Sequence, residues 1–398
     1  MRGEAIASPG PMTSAARIRQ PLLPLLCSAA LSWCPVAAAQ DIGFDAASGP
    51  IAPFTAPIAP PATRLPNGLS TLLHLDADTL AVVGGAGARQ AISVAAFQAG
   101  ISLDTSLAGW WSGGQFDLMA MGLRNEGDLQ TATGDVQLPS NLWAPNFLRI
   151  YQFSYLQAIG AGFVQGGIMD VNNRFDVTEV AGHLHNASFG IAPTLTGNAN
   201  IATFPNPGLG LVAGSDLGAG LSVQAGIWQA DPPGMAGALD RGALALGEVD
   251  KVWGKGNGAG TTLKFGLWHR HRAGRPDAAE AAGAYAIAEH SWRDAGFRDW
   301  SVFLQAGNAP KESSPVSAYL GAGVRVRGLN PARPADVLTV GIARARLRGL
   351  RAEAVIELVY SMEIAPHVYL QPDLQRIANP GGGPGMQTVA GLRVHIER

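Results

Sequence analysis

Cysteine is nearly absent: the 398 residues hold two, Cys27 and Cys34. Both fall in an N-terminal stretch that reads as an export signal, so the mature chain is expected to have none. That excludes a disulfide framework, a thiolate nucleophile and a cysteine-bound metal. Charge is also scarce, at 15% of residues with a net of −2, and the basic footprint that a nucleic-acid partner needs is missing. After Gln40 no run reaches about 18 apolar residues free of charges and strand breakers, so no transmembrane helix is predicted. No heptad or long 3.6-residue stripe recurs. With 51 glycines, the composition points to one large β structure.

What is present begins with export. Arg17 and Arg19 form a positive n-region, Pro21 to Trp33 a short apolar core, and Ala37-Ala38-Ala39 a small-residue cleavage site. Met12 makes a more usual start than Met1. Cys34 follows the bulky Trp33, which does not suit a lipoprotein site. Residues 1–39 are therefore read as a signal peptide. Residues 40–84 are read as an N-terminal segment, rich in proline from Pro50 to Pro66 and extended there. Within it, Leu69 to Val83 reads as a short helix or a first strand. Residues 85–398 are read as a β-barrel domain. An exported chain without disulfides can draw stability from a closed barrel, which leaves no strand edge unpaired.

Short alternating segments recur from about Arg89 onward, separated by Gly, Pro, Asn and Asp. The clearest runs from Glu353 to Glu363. Glu353, Val355, Glu357, Val359, Ser361 and Glu363 share one face; Ala354, Ile356, Leu358, Tyr360 and Met362 share the other. Leu263, Phe265 and Leu267 likewise oppose Lys264 and Arg270. Leu320, Ala322 and Val324 oppose Arg325 and Arg327, and Leu221, Val223 and Ile227 oppose Ser222 and Gln224. A soluble sandwich buries its apolar faces under a second sheet, whereas a membrane barrel turns them to lipid. Trp228, Trp268, Trp292 and Trp300 lie near segment ends, where aromatic girdles sit. One interval, Asn172 to Pro207, does not read as strands, and so long a loop is usually functional. In a barrel it would fold inward and narrow the pore.

Ordered motifs carry a resemblance. Gly167 with Asp170-Val171-Asn172 and Phe175-Asp176-Val177-Thr178-Glu179 come first, then Asn186 to Pro193, Phe204-Pro205, Gly208-Leu209-Gly210 and Gly247-Glu248-Val249-Asp250. Gly283-Ala284-Tyr285, Tyr319 to Gly323, Leu370 to Gln375 and Asn379-Pro380-Gly381-Gly382 complete the set. Together they resemble the carbohydrate-selective (OprB-type) porins, from roughly Gly85 to the end of the chain. The resemblance implies an all-β, transmembrane antiparallel β-barrel of the outer membrane of a Gram-negative bacterium, with a long inward-folded loop. It further implies passive diffusion of mono- and small oligosaccharides, with no enzymatic activity. Sixteen strands are expected, or fourteen, because only Trp111 to Gly114 stands where the family has about a hairpin more. The closing strand, Leu392 to Arg398, alternates but lacks a terminal aromatic. The implied partners are sugars as solutes, outer-membrane lipid and the barrel-assembly machinery, with the protein a monomer or homotrimer.

Such a pore needs charged and hydrogen-bonding groups at its narrowest point. Pore-lining candidates are Glu248, Lys264, Arg270, Arg325, Arg327, Glu353, Glu357 and Glu363. Candidates in the constricting loop are Asn172, Asn173, Asp176, Glu179, His183 and Asn186. Most of these could instead simply solvate the lumen. Glu353 and Glu357, four residues apart on a strand, would stand about 13–14 Å apart, too far for a glycosidase pair. His183 and His185 have no cysteine and no clear carboxylate pair beside them, so no metal or other cofactor is expected. Two readings remain open beside the porin: a soluble exported β-rich protein that binds or hydrolyses glycans, and a plugged structural barrel.

Overall fold

A computed structural model describes residues 63–397 except 65, 86, 88, 233–241, 257–258, 272–279 and 297. The expected signal peptide and most of the proline-rich segment lie outside the described residues. Among those described, no helix is long and apolar enough to cross a membrane.

Sixteen strands form the wall. They are β1 (Leu69–Gly85), β2 (Ala91–Asp104), β3 (Gly114–Glu126) and β4 (Phe147–Ile159), then β5 (Gly162–Met169), β6 (Gly208–Gly218), β7 (Leu221–Gln229) and β8 (Ala243–Gly256). The second half holds β9 (Ala259–His271), β10 (Ala281–Arg293), β11 (Asp299–Asn308) and β12 (Val316–Arg327), then β13 (Val337–Leu347), β14 (Glu353–Ala365), β15 (Val368–Ala378) and β16 (Met386–Glu397). Each pairs antiparallel with its neighbours in the chain, and β16 returns to β1, from Gln387 opposite Gly85 to Glu397 opposite His74. A two-residue strand, Thr63–Arg64, pairs with the start of β1. The ring is closed, so the described wall has no free edge to pair with another chain.

One expectation changes here, and one alternative closes. The barrel begins at Leu69, ahead of the boundary expected at residue 85, because Leu69–Gly85 is the strand that closes against the last one. The count is sixteen and not fourteen. Residues 105–113 form a tight turn that joins β2 directly to β3, with Asp104 opposite Gln115. The shortened stretch therefore trims a turn and removes no hairpin.

The faces follow the alternation. In β14, Val355, Glu357 and Val359 are buried while Ile356 and Leu358 are 53% and 42% exposed. In β9, Leu263, Phe265 and Leu267 are exposed while Trp268 and Arg270 are buried. Apolar side chains thus face outward around a polar interior, the arrangement lipid requires and water penalises. Two of the four tryptophans expected in girdles belong elsewhere. Trp228 and Trp268 are 1% and 3% exposed and point inward. Each keeps the parity of the polar face, Trp228 with Ser222 and Gln224, Trp268 with Lys264 and Arg270. Trp292 and Trp300 are half-buried and stack 6.1 Å apart across β10 and β11. The apolar packing that encloses Trp228 and Trp268 is inside the barrel, around an inserted segment.

Candidate functional site

Residues 170–207, between β5 and β6, contain no long element, only short turns of helix such as Ala187–Gly190 and Pro193–Thr196. Backbone groups outside a ladder must find partners, and here inward-facing side chains of distant strands supply them. The Asp176 amide donates to Glu248 on β8 (3.2 Å) and to the Tyr285 hydroxyl on β10 (3.1 Å). The Val180 amide donates to Glu289 on β10 (2.7 Å). Gln305 on β11 donates to the Thr178 hydroxyl and the Phe189 carbonyl (2.8 and 2.9 Å). The His185 and Asn186 amides both donate to Glu357 on β14 (2.6 and 3.1 Å). A segment leaving β5 and reaching β8, β10, β11 and β14 by their inner faces crosses the lumen.

Packing matches these anchors. Phe175 and Phe189 are fully buried. Phe175 meets Trp228 edge-on at 5.6 Å, and Phe189 meets Phe303 at 5.8 Å. Burial of such side chains stabilises by roughly 1.5–3 kcal/mol each. Room for them comes from glycines on the wall. A Cβ at Gly341 would stand 2.5 Å from Leu184 Cδ1 and 2.8 Å from Phe189 Cζ, and one at Gly307 would collide with Thr194 Oγ1.

A second insertion goes beyond the sequence reading. Residues 127–146, between β3 and β4, reach Glu353 on β14, which accepts from the amides of Val136 (2.9 Å), Gln137 (3.0 Å) and Gly381 (2.7 Å). A signal for it exists in the chain: alternation lapses after Glu126 and resumes at Phe147, with Pro139, Asn141 and Pro145 between.

The candidate residues now separate by environment. Glu248, Glu353 and Glu357 face inward but are 2%, 0% and 0% exposed, and all three hold inserted backbone. Glu363 is exposed at a turn and accepts from the His367 amide (3.2 Å). Lys264 and Arg327 are half-buried on the inner face. Arg325 is buried and donates to the Ser301 hydroxyl (3.3 Å). Arg270 is buried and paired with Asp231 (3.4 Å). Within the segment, Asn172 donates to the carbonyls of Phe175 and Gly190 (3.1 and 3.2 Å), folding the segment on itself. Asn186 is fully buried and donates to Gln375 (3.1 Å). Asp176 accepts from the Ala192 amide (2.7 Å), and burial pushes its carboxyl up to about 7. Burial, aided by Arg325, holds the His183 imidazole down at about 3, so it is neutral at pH 7.

Asn173, Glu179 and His183 come together on a cavity of about 450 Å³ between the two inserted segments, lined also by Gln98, Trp143 and Tyr151. That volume lies within the roughly 300–1,000 Å³ typical of small-molecule sites. Here the Trp143 indole Nε1 is buried with no hydrogen-bond partner. Trp143, Gln98 and Tyr151 are not among the sequence candidates. A second cavity of about 530 Å³ is lined by Asn198, Asn200, Asn206, Arg270 and Ser313. Both cavities are rich in amide groups that bond hydroxyls well.

The sequence model of the carbohydrate-selective porins, OprB family, matches residues 88–397. The chain belongs to that family. It is a porin that passes carbohydrates, and not an enzyme. Solved structures agree on the fold. OprB of Pseudomonas putida at high pH superposes with a TM-score of 0.75 at 18% identity, covering 83% of this chain and 94% of that one. Its low-pH structure gives 0.58 at 20% identity, covering 83% and 93%. A triple mutant of the Rh. blastica porin gives 0.51 at 12% identity, covering 83% and 100%. Among curated proteins, none matches. In this carbohydrate-selective porin, then, the wall carboxylates seat the inserted segments.

Proposed function

We propose that the protein lets mono- and small oligosaccharides diffuse across the outer membrane of a Gram-negative bacterium by way of the cavity between its two inserted segments. The observation that carries this route is the cavity of about 450 Å³ between the two segments, lined by Trp143, the amides of Gln98 and Asn173 and the carboxylate of Glu179. A sugar offers hydroxyl groups to those amides and that carboxylate, and an apolar ring face to the aromatic ring. Asn173, Glu179 and His183 act as the sugar contacts of the constricting loop. Asn172, Asp176 and Asn186 shape it. Lys264, Arg325, Arg327 and Arg270 set the field on the opposite wall, with Glu363 at the short-turn rim. Residues 1–39 direct export and are removed, residues 40–84 lead into the barrel through its first strand, and the barrel-assembly machinery inserts the protein as a monomer or homotrimer.

Liposomes containing the purified porin test the route. They should swell in glucose and respond more slowly to a trisaccharide. Trp143→Ala should change the glucose rate while leaving potassium conductance of the same order. Vesicles that stay impermeable to glucose would sink the proposal and favour the plugged barrel, which the dense anchoring of residues 170–207 also suits.

A further inference from the structure

The sequence places no carboxylates beside His185, yet the fold supplies two. His185 comes from the inserted segment, Glu357 from β14 and Asp373 from β15, and all three are buried. One ligand atom from each lies within 4.8 Å of the others. The ring is oriented for a metal. Its Nε2 meets the Gln371 amide oxygen at 3.1 Å, while the Gln371 amide nitrogen is engaged with the Ser361 hydroxyl at 3.1 Å. An amide oxygen only accepts, so Nε2 carries the proton and Nδ1 presents a lone pair.

That lone pair faces Asp373 Oδ2 at 4.0 Å. The distance is too long for a hydrogen bond, and both atoms are acceptors. The second oxygen of this buried carboxylate, Oδ1, has no hydrogen-bond partner. Gln375 donates to Asp373 Oδ2 at 2.8 Å and approaches Glu357 at 3.4 Å, steadying both carboxylates. Arg393 directs its guanidinium to Asp78 (2.6 and 2.8 Å) and Asn141 (2.8 Å), not to the pair.

We propose that His185 Nδ1, Glu357 and Asp373 form a binding site for a divalent first-row transition-metal ion, tying the inserted segment to the barrel wall. One nitrogen and two carboxylate oxygens suit Zn²⁺ at about 2.0–2.2 Å. Donors in a tetrahedral set at that bond length stand about 3.4 Å apart, so His185 Nδ1 and Asp373 Oδ2, at 4.0 Å, have to draw together to hold it. The Nε2–H to Gln371 contact is the outer-shell bond that metal-bound histidines usually make. The ion would add a bond between segment and wall where the amides of His185 and Asn186 already meet Glu357.

Zn²⁺ binding to the full chain in detergent, measured by equilibrium dialysis after chelator treatment, tests this. His269 and His271 flank Glu280 on the surface (3.6 and 3.3 Å) and offer a competing site, so the His269→Ala/His271→Ala variant is measured alongside. The expected result is one Zn²⁺ retained in that variant, with affinity falling at least about tenfold on adding His185→Gln or the isosteric Asp373→Asn. The unheated band on a denaturing gel checks that each variant is folded. Zn K-edge absorption on the surface-histidine variant needs no change at the buried site and should show one imidazole among oxygen ligands. Absence of Zn²⁺ uptake, or uptake that disappears with His269 and His271, would overturn the site.

Discussion

Glu353→Ala isolates the idea that wall carboxylates are mounting points for inserted chain. The substitution strips the acceptor from three amides, those of Val136, Gln137 and Gly381, and from the Gln137 side chain at 3.1 Å. Glu353 is completely buried, so its replacement leaves those donors facing a methyl group. An unsatisfied buried donor costs about 1–3 kcal/mol. Water entering the new space relieves part of that, and a net loss of about 3 kcal/mol of seating for residues 135–141 is the working figure. A loss of that size shifts a seated-to-released equilibrium by over about a hundredfold. The loop carries Trp143 into the cavity, so its release should widen the path. Single-channel recordings should show higher and noisier conductance, and liposomes should lose discrimination between glucose and larger sugars. Limited proteolysis should find new cuts between residues 135 and 145. Glu353→Gln should fall between wild type and Ala, since one amide oxygen still accepts. If conductance, sugar discrimination and protease resistance all match wild type while the unheated band shows a folded barrel, the mounting-point reasoning is refuted.

Three other outcomes are expected. Asp135 and Asp176, in the inserted segments, have carboxyls raised by burial to about 7. The stability they contribute is full below their ordinary pKa of 3.8 and is lost as pH rises through 7. His183 and His185 are held down at about 3, so their contribution is present above 6.5 and is lost as pH falls toward 3. Conductance noise scanned over pH should therefore pass through a minimum on the acid side of neutrality and rise on both flanks; a monotonic curve would contradict this. Trp143→Ala removes the aromatic face from the cavity and should weaken sugar block of ion current, whereas Trp143→Phe keeps a ring there and should retain most of the block. Arg393→Met breaks the two-point pair with Asp78 that bridges the closing seam of β1 and β16, leaving a buried carboxylate without its cation, held only by the Ser140 hydroxyl, at about 3–5 kcal/mol. The temperature at which the folded band disappears should fall, and Asp78→Leu in the same protein should restore much of it.

Strand parity and family are local matters, and residues in order settle them. Glu353 to Glu363 alternates on the page as it does in the wall, because a strand's two faces are fixed by counting. The same counting assigns Trp228 and Trp268 to the inner face; attention to segment ends obscures it. What Glu353 and Glu357 do there cannot be counted. Their partners, Val136 and His185, are separated from them by 217 and 172 positions in the chain. Sequence period carries no information about which loop enters the lumen or where it is caught. The ladder of carboxylates legible in the sequence looks like a wall facing water, and in three dimensions two of its three members are out of solvent.

The sequence by itself determined the two faces of each strand, because alternation is fixed by counting, and its ordered family motifs implied lipid, not a second sheet, for the apolar one. Only the tertiary structure decided that the first strand starts at Leu69, that two insertions share the lumen, and that His185 stands between two carboxylates. Each of those depends on groups brought together from distant strands by closure of the ring, and closure is a property of the whole sheet and not of any segment in it.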